Sequence, residues 1–234
     1  CVFSLCLLSC AKTGYVLEQG VGQLEILTSA RDNEWVLNDP QVSRQKKEKI
    51  RQIQDFKEYF EETWKTDTGS IYSQTFFLDR QAVSYLLIRS PHDRVKPLQE
   101  CFPFVGCFPY IGFYNEQEAQ EWGKGEGSQH RYVRPVYAYS TLGHFSDPIL
   151  SSFFEYSRYQ LAELIFHELF HTMFFVEDEV DLNENLATHF GREMALAYFR
   201  DERGRSEEFL KKRRREKRHK RLIASQISHL KKEL

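Results

Sequence analysis

One stretch, Leu161 to Val176 (LAELIFHELFHTMFFV), constrains this chain more than any other. Leu161, Leu164, Ile165, Phe166, Leu169, Phe170, Met173, Phe174 and Phe175 fall on nearly every side of a helix, and a helix apolar all round has to be buried. His167, Glu168 and His171 are set into it, and burying ionisable groups without partners is costly. Their order is His-Glu-x-x-His. Positions four apart on a helix lie one above the other, so both imidazoles reach one metal ion. Glu168 then faces the water at the open coordination position and can take its proton. The bland alternative is a chance match in a core helix, with both histidines bonded to ordinary partners. Against it, a chance match belongs more often on a polar surface.

A catalytic zinc needs a third protein ligand. Glu184 stands thirteen residues past His171, in Asn183-Glu184-Asn185-Leu186-Ala187, which opens a second helical pattern. It is the predicted ligand. Glu177 is the rival, standing where a metzincin carries its last histidine. That class needs glycine at position 174, and this chain has Phe174. Asp178, Glu179 and His189 are further alternatives. Thr188, one turn beyond Glu184, is a candidate partner for a ligating imidazole.

At 234 residues the chain can bury a substantial core, and the reading is one mixed-class domain with appendages. The net charge of −2 is unevenly spread: residues 200–234 carry 14 Lys and Arg against 6 Asp and Glu, whereas residues 1–199 carry 18 against 28. Three segments are therefore expected: 1–10, 11–199 and a basic tail, 200–234. The first, CVFSLCLLSC, reads as the end of a secretory signal closing on Leu8-Ser9-Cys10, a lipobox-like site for lipidation of Cys10. A buried N-terminal strand is the alternative. The tail reads as a solvated helix or a disordered segment, and a nucleic-acid or anionic-membrane contact is the less favoured use of its charge.

Between these ends, residues 15–37 are weakly helical, and Asp39-Pro40 predicts the start of a helix running to Trp64, with Val42, Ile50, Ile53, Phe56, Phe60 and Trp64 on one stripe. Tyr72–Leu78 and Ala82–Ile88 read as strands about a turn at Asp79-Arg80, the second closed by Ser90-Pro91. Pro109–Tyr114 reads as another strand, and Asn115 as the cap of a helix carrying Ala119 and Trp122. Cys101 and Cys107 either pair, in an oxidising compartment, or stay as buried thiols. Tyr132–Ser140 reads as a strand that Pro135 confines to a sheet edge, where an extended peptide could add. The loop 141–149 leads into the metal helix as a candidate rim.

Taken together, several blocks resemble the bacterial putative-aminopeptidase family of HExxH lipoproteins: Leu8-Ser9-Cys10, Cys101-Phe-Pro-Phe-Val-Gly-Cys107, Tyr110-Ile-Gly-Phe-Tyr114, Tyr137-Ala-Tyr-Ser-Thr-Leu-Gly143, Phe145-Ser-Asp-Pro-Ile-Leu150, the stretch Leu161 to His171, and Leu182-Asn-Glu-Asn-Leu-Ala-Thr188. They run from about residue 10 to 200. The resemblance implies His167, His171 and Glu184 as zinc ligands and Glu168 as the catalytic carboxylate. The chain departs from the family at Phe170, where alanine is usual, and beyond residue 200, where it turns basic.

The expected fold is α+β and zincin-like, a small mainly antiparallel sheet beside the HExxH helix and a second ligand-bearing helix. The expected function is zinc-dependent peptide hydrolysis, with Tyr137, Tyr139 and His144 as candidates for oxyanion support. The expected partners are a peptide substrate and, through a lipid at Cys10, the membrane of a bacterial cell envelope on its periplasmic side; no nucleic acid is expected. The competing class is a non-catalytic envelope lipoprotein with a structural zinc. Glu168 argues against it, because a structural site has no use for a base.

Overall fold

A computed structural model describes residues 15, 22, 24–80, 82–94, 96–102, 106–124, 129–137, 147–177, 179–200 and 205–233, with the backbone alone for 180, 205–210, 212, 213 and 216. In chain order its elements are β1 (Arg31–Asp32), α1 (Asn33–Asn38), α2 (Arg44–Trp64), β2 (Gln74–Phe76), β3 (Ser84–Pro91), β4 (Glu100–Phe102), β5 (Gly106–Phe108) and β6 (Ile111–Phe113). There follow α3 (Glu116–Glu121), β7 (Gln129–Val136), β8 (Ile149–Leu150), a 3₁₀ turn (Ser151–Glu155), α4 (Arg158–His171), α5 (Val180–Phe199) and α6 (Arg205–Glu233). The architecture is α+β, and every strand pairing is antiparallel except that of β2 with β8. No described helix is long and apolar enough to cross a membrane.

The chain divides into two compact units, and the one that holds α4 takes in Ser29–Asp79 and Ala138–Ile223. Its core is helical. The stripe on α2 buries Ile50, Ile53, Phe56 and Phe60 completely, and α2 packs on α4, which packs on α5. Phe56 meets Phe166 of α4 at 5.8 Å and Tyr198 of α5 at 5.0 Å between ring centroids, so one aromatic side chain ties three helices. Full burial of such a ring stabilises by about 1.5–3 kcal/mol. A small sheet, β1-β2-β8, carries the chain into the 3₁₀ turn and then α4.

Asp39-Pro40 does not start α2. The Asp39 backbone N–H closes α1 on Trp35 and Val36, and its carboxylate accepts from Arg31 and Gln41. Pro40 is left in a turn, and Ser43 caps α2, its Oγ accepting from the Lys46 N–H. The predicted strand 72–78 is shortened to β2 because Tyr72 takes a left-handed conformation, φ 59°. Nor do the two predicted strands pair about Asp79-Arg80. β2 lies between β1 and β8, whereas β3 lies between β6 and β7. Ser90-Pro91 does close β3, whose last residue is Pro91, but the pairing with β7 runs from Ser84↔Val136 through Pro91↔Gln129, past the predicted end at Ile88, because proline is tolerated at the strand's last position.

The other unit takes in Cys1–Thr28, Arg80–Tyr137 and Ala224–Leu234. Leu87, Phe102, Ile111, Phe113 and Ala119 form its core, with Tyr15, Tyr85, Trp122 and Val133 packed around them. Asn115 caps α3 through its side chain, and Arg131 of β7 donates to the α3 carbonyls of Gln120 and Trp122, groups a helix end leaves unpaired. β7 is an edge strand in the order β6-β3-β7, as Pro135 requires. Cys101 and Cys107 stand opposite each other on β4 and β5 and are joined by a disulfide. The tail segment is helical over α6, and its described side chains are all exposed.

Candidate metal centre

Local sequence starts and aims α4. The Ser157 Oγ accepts from the Gln160 N–H at 3.5 Å while the Gln160 side chain accepts from the Ser157 N–H at 3.2 Å, a reciprocal cap that fixes the first turn. Leu161, Ala162, Ile165, Phe166 and Leu169 are 0% exposed, so the helix cannot rotate about its axis. His167 and His171, one turn apart, are thereby held toward α5.

The helix ends sooner than its apolar run. It stops at His171, and Met173, Phe174, Phe175 and Val176 are exposed, not part of a buried helix as the composition predicts. The reason lies in α5. Asn183, 2% exposed, accepts from the Val176 N–H at 2.9 Å and donates to the Val176 carbonyl at 2.7 Å. This clamp holds the reversed chain, so α5 can double back along α4. Asn183→Ala is expected to lower unfolding stability by about 1–3 kcal/mol, read from the denaturant midpoint, because two backbone groups lose their partner. An unchanged midpoint would show the turn holds itself.

α5 then passes α4 at very short range. A Cβ on Gly191 would stand 2.6 Å from the Glu163 carbonyl oxygen and 2.9 Å from the His167 nitrogen. Only glycine permits that approach, and it brings Glu184, two turns earlier on α5, over the imidazoles. The His167 and His171 Nε2 atoms are 3.2 Å apart, and Glu184 places Oε2 at 3.4 Å from the first and Oε1 at 3.5 Å from the second. A tetrahedral ion with bonds of about 2.0–2.1 Å sets its ligand atoms roughly 3.3 Å apart, so each of these three contacts has about the length expected between two zinc ligands, the carboxylate meeting the two rings through different oxygens. Glu168 brings a carboxylate oxygen within 4.8 Å of a ring nitrogen of each of His167 and His171.

The charge states suit a cation. Burial, then the neighbouring His167, holds the His171 pKa below its ordinary value and favours the neutral ring that ligates metal. A hydrogen bond with His167 holds Glu184 below the usual carboxylate range, so it is ionised. Thr188 Oγ1 stands 3.5 Å from His167 Nδ1, at the long limit of a hydrogen bond. The His171 Nδ1 is buried with no hydrogen-bond partner among the described residues, which leaves Nε2 as the nitrogen its surroundings engage.

The family model described as "putative aminopeptidase" matches residues 14–234. The chain belongs to this family. The match takes in the basic tail, further than the motif blocks reach. No curated protein and no solved structure matches the chain significantly. The family name supports peptidase activity, and hydrolase is the class it gives at that level.

Within this member, Phe170 is accommodated by rings: it packs, tilted, at 4.6 Å from Phe190 and 5.7 Å from Phe174 between centroids. Of the rival ligands, Glu177, Glu179 and His189 are exposed, and among the described residues the carboxylate paired to both imidazoles is that of Glu184. Tyr137 is exposed and belongs to the other unit. Cys10, Tyr139, His144 and Asp178 lie outside the described residues. Sequence reasoning assigned no role to Asn183 or Gly191. An isolated glycine inside a helical pattern was the available signal for Gly191, and the NExxA block contains Asn183.

Proposed function

We propose that the Ser29–Asp79 and Ala138–Ile223 unit is a zincin-like, zinc-dependent peptidase, an aminopeptidase by family, in which His167, His171 and Glu184 hold the ion and Glu168 is the general base. The observation that carries this reading is the pair of Nε2 atoms 3.2 Å apart, met by the two Glu184 carboxylate oxygens at 3.4 and 3.5 Å, on two helices pressed together at Gly191. Two imidazoles and a carboxylate are the donor set of a catalytic zinc site with an open position. Zinc bound there would polarise the attacking water and the scissile carbonyl.

The chain's own residues do the remaining work. Glu168 accepts the proton of the attacking water on its carboxylate and passes it to the leaving amine. Its place next to His167 on a helix locked by buried Leu161, Ile165, Phe166 and Leu169 fixes that carboxylate relative to the ligand atoms. Metal analysis of the purified full chain, followed by a peptide-library digest with and without chelator, tests the reading. Stoichiometric zinc is expected, with cleavage abolished by chelator and restored by added zinc. Cleavage that ignores the chelator, in protein that takes up no zinc, would sink it.

A further inference from the structure

Where β3 leaves the sheet and β7 enters it, two histidines meet that neither the core nor the HExxH helix uses. In the antiparallel register Ser90 stands directly opposite His130. Residues opposite each other share a face of the sheet, and so do residues two apart on one strand. This face is the solvent side. His130 and Tyr132 of β7 are exposed, whereas Arg131 between them reaches back to the α3 carbonyls. His92, two residues past Ser90, continues the same row and is exposed as well. The turn that carries it is tied down: Ser90 Oγ donates to the Arg94 carbonyl at 2.8 Å, and the Leu98 N–H donates to the Arg89 carbonyl at 2.8 Å.

His92 Nδ1 and His130 Nε2 are 3.0 Å apart, with the rings inclined at 73° and their centroids 4.1 Å apart. A straight N–H···N bond would set the rings end to end, with the centroids farther apart than the nitrogens by both ring radii. Here the rings are folded closer than that. Water also offers each exposed ring the same hydrogen bond, so the contact by itself adds little to stability. Two imidazole nitrogens at this spacing have a stronger common partner in a metal ion. Ligand atoms on an ion with bonds of about 2.0–2.1 Å stand roughly 2.9 Å apart at a right angle and roughly 3.3 Å apart in a tetrahedron. The observed 3.0 Å lies between the two. Arg94 does not oppose a cation with an unmatched charge, because both Asp93 carboxylate oxygens accept from it, at 3.0 and 2.7 Å.

We propose that His92 and His130 form a metal site of their own, a two-imidazole chelate for a first-row divalent cation of the Ni²⁺, Cu²⁺ or Zn²⁺ kind. Imidazole suits these ions, and both rings ligate in the neutral form. Among the described residues no third His, Cys, Asp or Glu joins the pair, so water fills the remaining positions. The occupied site links the turn after β3 to the start of β7. It stands apart from the peptidase reading, since it uses none of the residues assigned there.

The test is calorimetric titration of the full chain with Ni²⁺, the parent beside His92→Ala, His130→Ala and His219→Ala. His219 is an exposed histidine of α6 and serves as the control. Each variant removes an exposed side chain, so unfolding midpoints should match the parent. The parent should bind one equivalent that His92→Ala and His130→Ala each hold about 10²-fold more weakly, because one imidazole without the other is no chelate. His219→Ala should bind as the parent does. Any Ni²⁺ taken by His167 and His171 is common to all four proteins and cancels in the comparison. Parent-like binding in either His92→Ala or His130→Ala overturns the assignment. An equal loss in His219→Ala overturns it too, because single surface histidines would then account for the binding.

Discussion

Glu168→Gln is expected to bind zinc as the parent does and to hydrolyse peptides about 10²–10⁴-fold more slowly. Glutamine keeps the length and shape of the side chain, and both imidazoles and Glu184 are untouched. What it loses is the ability to accept a proton. Glu184→Ala is the contrasting variant. It removes the carboxylate that meets His167 Nε2 at 3.4 Å and His171 Nε2 at 3.5 Å, one of the three protein bonds proposed to hold the ion, so metal and activity should go together. Glu177→Ala, at an exposed position of the turn, should alter neither. Zinc content by atomic spectrometry beside kcat/KM on a cleaved library peptide reads all three. If Glu177→Ala empties the site and Glu184→Ala leaves it full, the ligand assignment is wrong. If Glu168→Gln cleaves as fast as the parent, the mechanism is wrong.

The second large effect is expected far from any ionisable group. Alanine favours a helix over glycine by about 1 kcal/mol, so propensity alone says that Gly191→Ala stabilises α5. Packing says the opposite. The new Cβ would stand 2.6 Å from the Glu163 carbonyl oxygen, 2.9 Å from the His167 nitrogen and 3.2 Å from the His167 Cα, all backbone atoms of α4 that cannot swing aside. Overpacking of this kind costs about 1–3 kcal/mol, and more where backbone must move. The overlap should win, driving α5 away from α4. Glu184 moves with it, so zinc affinity should fall at least tenfold, an order that disturbing the groups which orient the ligands commonly reaches. Competitive zinc titration and a denaturant midpoint measure the two parts. A variant more stable than the parent, with unchanged affinity, would mean the helices do not meet at Gly191.

These two variants mark different kinds of information in the chain. The order His167-Glu168-x-x-His171 is local: a period of 3.6 residues and the chemistry of imidazole and carboxylate are enough to propose its role. The α2 stripe, Asn115 as a cap and Pro135 on an edge strand were legible for the same reason, each depending on a few neighbours in sequence. Start and stop points were not. Asp39-Pro40 has the look of a helix start, but Asp39 is engaged by Arg31 and closes α1, so the start passes to Ser43. The apolar run past His171 has the look of helix, but Asn183 clamps Val176 and ends it.

The sequence by itself determined the reagents: two histidines one turn apart, a carboxylate beside the first, and a second carboxylate on the next helical segment. Tertiary structure alone decided whether the last of these arrives. Glu184 reaches both imidazoles because α5 doubles back and lies almost on the α4 backbone, and that depends on the space left where Gly191 has no side chain. The left-handed turn at Tyr72 was beyond sequence reasoning altogether. It is held by Asn33, Thr75 and Asp147, residues 39 positions before it, 3 after it and 75 after it, acting together. A periodic pattern records which face of one element is apolar. It does not record the distance between two elements, because that is fixed by the atoms that meet there, and those come from parts of the chain that only folding brings together.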